Sequence, residues 1–414
     1  MRSWLILTLV LMAGSVLRAE DSPLVIHEWG TFTSLQNEKG EAIGGINTDD
    51  EPVPSFVHGL DSSLIDRSPS ETERRTSKGI FELLHPDVTM RLETPVVYFY
   101  RPAGSAGPMK VDLSVTFHGG YLSQYYPNVS GPAPVVTQDY MNREYKPVTS
   151  KTTHALNWPN LQVGTDGVGP ITAERVWTAP REVKADNVTS EKGESEKFLF
   201  YRGVGHLDGP LQAHRAAPQS EAILLSGHAS SQPAWLVDIR GDGTVAFARS
   251  ETLSAAAPPA TQYRGFFGFK PVDYNSANLT KLRDEFRQAL IASGLFADEA
   301  DAMLNTWEAS YFKAPGLRVF YIVPPAWTEQ VLPMTVSVPA KITRVMVGRI
   351  ELIAPEQQAL LGTISDVKDV PKLGRFYAAL LNEEQRLRPS DRLAKLIEAK
   401  QCAPAKVARS VAAR

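Results

Sequence analysis

Residues 24–249 repeat with a period of two, and past residue 261 the repeat changes to the spacing of helices. Met109–His118 is the clearest strand, with Val111, Leu113, Val115 and Phe117 alternating with Lys110, Asp112, Ser114, Thr116 and His118. Successive side chains on a strand point to opposite faces, so this stretch describes a ribbon with one buried and one polar side. Residues 95–100 and 197–202 are shorter, rich in Val, Tyr and Phe, and predict more fully buried strands. Residues 234–249 predict a hairpin, because two apolar runs flank Arg240-Gly241-Asp242-Gly243 and its glycines supply the positive φ of a tight turn. The spacing predicts a largely antiparallel, β-sandwich-like N-terminal part.

Beyond the Ala- and Pro-rich stretch 252–261, Leu279, Leu282, Phe286, Ala289 and Leu290 share one helical face, and Gly294 follows as a C-terminal stop. Asp298 is placed to cap a second helix carrying Ala300, Met303, Leu304, Trp307 and Tyr311. Residues 317–323 and 342–352 predict two more strands. Leu373, Phe376, Tyr377, Leu380 and Leu381 mark a third helix, and 391–400 a weaker one. The fold class is therefore α+β: a β-rich part at 20–251 and a helical α+β part at 262–402, either separate or packed as one body. A disordered tail is expected at 403–414, and further loops at 40–66 and 182–196. No internal repeat is found.

Export is the firmest functional expectation. Arg2 precedes an apolar run from 4 to 17, and Leu17 and Ala19 suit a cleavage site, so residues 1–19 read as a signal peptide. The run is too short to cross a bilayer comfortably. No second long apolar run follows, so no membrane span is expected after cleavage. The formal net charge of −3 becomes about −5 when Arg2 and Arg18 leave, which gives no electrostatic footprint for nucleic acid. The single cysteine, Cys402, excludes an internal disulfide and lies far from any lipid-attachment position. With 43% hydrophobic and 21% charged residues, a chain of 414 can bury a core without disulfides.

The chemistry-bearing residues are few. His27-Glu28-Trp29-Gly30-Thr31-Phe32-Thr33 sets an imidazole, a carboxylate and an indole side by side. On a strand His27 and Glu28 diverge, so they serve as metal ligands together only if a bulge turns them. Glu93, in Arg91-Leu92-Glu93-Thr94-Pro95, enters the core where pockets open. Glu28 and Glu93 are the candidate acid–base pair, or a site for a divalent cation, and Arg91 or Arg101 offers each an ion-pair partner instead. His118 precedes Gly119-Gly120, where the backbone can turn sharply or approach a ligand closely. Trp29, Tyr125, Tyr126 and Trp158 are candidate ligand-binding aromatics, with plugging of the sandwich ends as the alternative. His206, His214 and His228 match no ligand spacing. Ser226-Gly227-His228 is no nucleophile elbow, and no phosphate-binding glycine loop occurs.

The segments HEWGTFTSLQ at 27–36, LETPVVYFYRP at 92–102, EKFLFYRGVG at 196–205 and RVFYIVPPAW at 318–327 resemble a group of exported bacterial proteins. The resemblance implies a periplasmic or extracellular location and carries no activity, cofactor or substrate. The first expectation is a non-catalytic binding protein for a glycan, peptide or protein partner. The second is a hydrolase, metal-assisted or not, using Glu28 and Glu93 with His27 or His118.

Overall fold

The computed structural model describes residues 23–49, 53–60, 66–67, 84–131, 134, 136–139, 144–217, 220–228, 232–250, 264–400, 402–404 and 406–407. The expected signal peptide and the 252–261 linker lie outside these residues, as does most of the expected tail. Its principal strands are β1 (Leu24–Gln36), β2 (Met90–Tyr100), β3 (Met109–His118), β4 (Gly120–Tyr126), β5 (Thr153–Val163), β6 (Leu199–Gly205), β7 (Ala234–Ile239), β8 (Val245–Ser250), β9 (Gly316–Ile322) and β10 (Ala340–Leu352). The principal helices are α1 (Asn278–Ala292), α2 (Ala297–Thr306), α3 (Tyr377–Leu387) and α4 (Asp391–Ala399). Strands and helices are thus mixed as expected of an α+β chain, with large, mainly antiparallel sheets.

Nine strands form one sheet in the order β8-β7-β9-β10-β1-β2-β6-β4 followed by His58–Gly59. Strands from both ends of the sequence share it, since β9 and β10 sit between β7 and β1. The β1–β10 pairing is parallel and runs from Leu24 opposite Ala340 to Gln36 opposite Leu352. A second sheet contains β3 and β5 at its centre, flanked by Met334–Val336 and Val188–Thr189. Val111, Leu113, Val115 and Phe117 of β3 join Ile26, Phe32, Val97 and Tyr201 of the large sheet in one apolar cluster. The alternation read at Met109–His118 therefore buries the side that was expected. Gly119 (φ 99°) carries the chain from one sheet to the other, and a Cβ on Gly120 would meet the Val204 carbonyl at 2.3 Å. Only a glycine fits there.

The other face of the large sheet is covered by helices. Leu282, Phe286 and Leu290 of α1 are fully buried against Trp235 and Phe320, each side chain worth about 1.5–3 kcal/mol of burial. The α1 helix ends before Gly294 (φ 112°), as its sequence predicts. Asp298 is not the cap of α2. That helix begins one residue earlier, and the Glu299 carboxylate takes the Phe296 N–H at 2.7 Å while Asp298 Oδ2 accepts from Lys184 N–H. A one-turn π-helix, Glu308–Lys313, follows α2 and buries Tyr311 and Phe312. The α3–α4 pair covers a third cluster with Leu35, Leu84 and Val204, which also contains the buried Cys402. Lys406–Val407 pairs with Glu144–Tyr145, and 408–414 lies outside the described residues. No helix among the described residues is long and apolar enough to cross a membrane.

Candidate functional site

The HEWGTFT segment is the middle of β1, a central strand of the large sheet, and its side chains divide between the two faces. His27 points to the helices: its Nδ1 lies 2.8 Å from Glu299 Oε2. Tyr100 O–H donates to the other oxygen of Glu299 at 2.6 Å, and the Phe296 ring stacks 4.5 Å from the imidazole. Glu28 points the opposite way, between the two sheets, where it is fully buried. Arg344 Nε donates to its Oε2 at 2.5 Å, and Tyr201 O–H donates to its Oε1. Burial, and then the Glu28 charge, push the Tyr201 phenol well above its ordinary value, so it stays a neutral donor. His27 and Glu28 therefore do not make one ligand set, because strand geometry sends them through opposite faces. Among the described residues no group of three His, Cys, Asp or Glu is placed to hold a metal ion.

Glu93 stands on the helix-covered face of β2. Thr33 O–H donates to its Oε2 at 2.9 Å, Arg375 Nη2 to its Oε1 at 2.7 Å, and Arg91 Nε lies 3.0 Å from that same oxygen. Glu28 and Glu93 are thus on opposite sides of one sheet, each neutralised by arginine, and cannot share a substrate. That placement removes them as a single acid–base pair. Glu93 instead belongs to a polar stripe that crosses the sheet between the two apolar clusters under the helices. The irregular pairing of β1, β2 and β6 makes room for it. Register slips occur between Trp29 and Thr31, and between Phe200 and Gly203. A Cβ at Gly30 would press on Pro95 and Met346 at 3.0–3.1 Å, so the close approach at the slip favours glycine. Thr94 beside it holds φ at 45°, a strained value for a β-branched residue, and its hydroxyl takes Arg202 Nε at 3.1 Å.

Toward β9 and β10 the stripe continues as Arg349, Glu351 and Arg318. Arg349 Nε donates to Glu351 Oε1 at 2.6 Å, and Arg318 Nε lies 3.2 Å from the same atom. Burial opposes ionisation of Glu351, yet Arg318, Arg349 and Arg375 together hold its carboxyl below the usual carboxylate range. Arg318 is pushed down to about 10, by burial first and then by Arg349 and Arg375, against the pull of Glu351. It keeps its charge at neutral pH. Tyr311 closes the stripe from the π-helix, with its hydroxyl on Thr31 and its ring 5.7 Å from the Arg349 guanidinium. Sequence spacing names none of Arg318, Arg344, Arg349, Glu351 and Arg375 as site residues, and it gives Tyr311 only a place on a helical stripe. For Arg318, Arg344, Arg349 and Glu351 a signal was present, since charged residues interrupt the otherwise apolar alternation of β9 and β10.

The remaining candidates lie elsewhere. His118 is exposed at the end of β3, on the outward side of the second sheet, with Thr153 Oγ1 at 3.4 Å. It joins neither carboxylate. Trp29, Tyr126 and Trp158 are buried at 0%, 3% and 1%, and only Tyr125 is partly open. Trp158 Nε1 donates to Pro127 O at 2.9 Å, while Tyr126 packs on Phe56 and Trp177. Tyr125 stacks on His58 at 5.7 Å. These rings sit in strands rather than on loops. Trp29, Tyr126 and Trp158 fill the interior, which corrects their expected role as an exposed ligand platform, and Tyr125 is half-open beside His58.

An open cavity of about 860 Å³ lies on the flank of α3 and α4. Ile43, Leu84, Ala379 and Ile397 supply apolar walls, and Asn37, Glu41, Asn382, Glu383, Gln385, Arg386 and Glu398 supply polar groups. Arg386 forks onto Glu383 at 2.7 and 2.8 Å. None of the described lining residues is Phe, Tyr or Trp. Such a volume, with apolar walls and a few polar groups, suits a small ligand. The chain matches no protein-family model and no curated protein sequence.

Proposed function

We propose that this chain is an exported, non-catalytic binding protein that takes a short peptide into the cavity beside α3 and α4. The observation that carries the reading is the cavity itself. It is large, amphipathic and lined by amides and carboxylates that suit the N–H groups of a peptide. Sugars are usually held on the faces of Trp, Tyr or Phe, and the described lining has none of these and one imidazole, His206, so a peptide is favoured over a glycan. The hydrolase reading has no comparable support, since its two carboxylates are separated by a sheet and held by Arg344, Arg91 and Arg375. In this reading a sandwich-like N-terminal part is the rigid frame, and the helical C-terminal part forms one wall of the site. Export rests on the apolar start of the sequence and its resemblance to exported bacterial proteins. N-terminal sequencing of the secreted protein checks it, with Glu20 as the expected first residue.

Native mass spectrometry of the full chain, mixed with a pool of short peptides and a pool of oligosaccharides, tests the ligand. Retained peptide supports the proposal, provided that Ala394→Trp, which fills the cavity from the exposed side of α4, loses it without a change in melting temperature. Retained oligosaccharide with no retained peptide overturns it. So does cleavage of the pool that stops in Glu28→Gln.

A further inference from the structure

Arg349 carries a buried donor that nothing among the described residues accepts. Its side chain has no solvent exposure, and its Nε and Nη2 both turn to Glu351 Oε1. Its Nη1 has no hydrogen-bond partner. Arg318 competes for the same carboxylate oxygen, and its Nη1 and Nη2 end on the carbonyls of Ser310 and Pro315 at 3.0 and 3.1 Å. Among the described residues, Glu351 is the one carboxylate within ion-pair distance of either guanidinium. Two cations therefore share one anion in a place with about 1% exposure. A buried cation without its counter-charge is among the costliest features a fold can hold, and an unmet charged donor adds to the cost. Ser310, on the same π-helical turn as Tyr311, has a buried hydroxyl that also lacks a partner.

We propose that this end of the stripe is an anion site, in which a compact oxyanion accepts from Arg349 Nη1 and supplies the second negative charge beside Arg318. Phosphate, sulfate and carboxylate groups share the required chemistry: oxygens in pairs that match the edge of a guanidinium. Burial first, and then the neighbouring Arg349 and Arg375, lower the value of Arg318 against the pull of Glu351, so a second anion there would be favourable. The site is independent of the peptide cavity, so either can fail alone.

Equilibrium dialysis of the full chain against labelled phosphate or sulfate is the test, paired with thermal melts in phosphate, sulfate, acetate and chloride at one ionic strength. The expected result is one retained equivalent and a melting temperature that climbs with the logarithm of anion concentration, as for a ligand of the native state alone. A response to phosphate and sulfate assigns a tetrahedral anion, and a response to acetate a carboxylate. Arg349→Met should abolish retention and the anion-dependent shift while still melting cooperatively, because it removes the surplus cation at similar volume. If that variant does not fold, dialysis of the wild-type chain decides alone. Superimposable melts with no retained anion overturn the proposal, as does undiminished retention by Arg349→Met.

Discussion

Between the two sheets, Glu28 meets one guanidinium and one phenol, and its two oxygens are both used. Across the same sheet, under the helices, Glu93 and Glu351 sit in a network with Arg91, Arg375, Arg349 and Arg318. The first arrangement matches charge with charge, since Arg344 also meets Glu329 and the Leu332 carbonyl through Nη1, although its Nη2 has no partner. The second holds two guanidiniums on one carboxylate and a donor left over. The difference teaches that a buried carboxylate in a strand is not by itself a sign of catalysis. A charge-matched pair fixes register, whereas two guanidiniums on one carboxylate leave something for a ligand to do.

The largest expected effect is on the charge-matched side. Glu28→Ala should cost about 3–5 kcal/mol, because Tyr201 loses its acceptor and Arg344 loses its buried partner, keeping only the half-exposed Glu329 carboxylate and the Leu332 carbonyl. Urea unfolding followed by tryptophan fluorescence measures it, and a cost near zero would break the description of this pair as a strut. Glu351→Gln should cost less, about 2–4 kcal/mol, since Arg318 retains its backbone carbonyls. The same variant carries a pH signature. The folded state holds the Glu351 carboxyl below its unfolded value of about 4.3, so its contribution is complete above that pH. It is lost as pH falls from there through the folded value. Melts of Glu351→Gln should therefore show a shallower acid limb than the wild type, and parallel limbs would remove Glu351 from the account.

Tyr311→Phe removes the bond to the Thr31 hydroxyl and should cost about 1 kcal/mol. A cost several times larger would mean that the π-helical turn, rather than the bond, depends on the phenol. The smallest effect is Ala394→Trp on the exposed side of α4, expected within about 0.5 kcal/mol of wild type by the same unfolding assay. It separates the cavity from both carboxylate sites, because loss of peptide with unchanged stability cannot be ascribed to either face of the sheet.

Much of the local structure was legible beforehand. The alternation at Met109–His118 named the buried residues of β3 correctly, and the helical stripe of Leu282, Phe286 and Leu290 is the buried face of α1. The divergence of His27 and Glu28 also followed from strand geometry alone. The aromatic candidates misled for a physical reason: Tyr126 and Trp158 stand beside proline and asparagine, as loop residues do, yet both lie in paired strands and pack inward. The stripe was harder to see. Its members come from β1, β2, β9, β10 and the segment before α3, and no window of sequence contains more than a few of them.

Sequence by itself determined several of the strands and helices, among them β3, β7, β8, β9, β10 and α1, and the apolar side of β3 and α1, because those depend on the backbone periods of two and 3.6. It also placed Glu28 within a strand and Glu93 at the entry to one, both bound for the interior. Only the tertiary structure decided what they face. Arg344 lies 316 residues from Glu28, Glu299 lies 272 from His27, and Arg375 lies 282 from Glu93. Contacts at such separations follow from which strands pair and in what register, and that is settled by burying the whole sheet at once rather than by any local preference. The insertion of β9 and β10 beside β1 is therefore what turns a run of chemically suggestive residues into a charge-matched strut on one face and an open arginine network on the other.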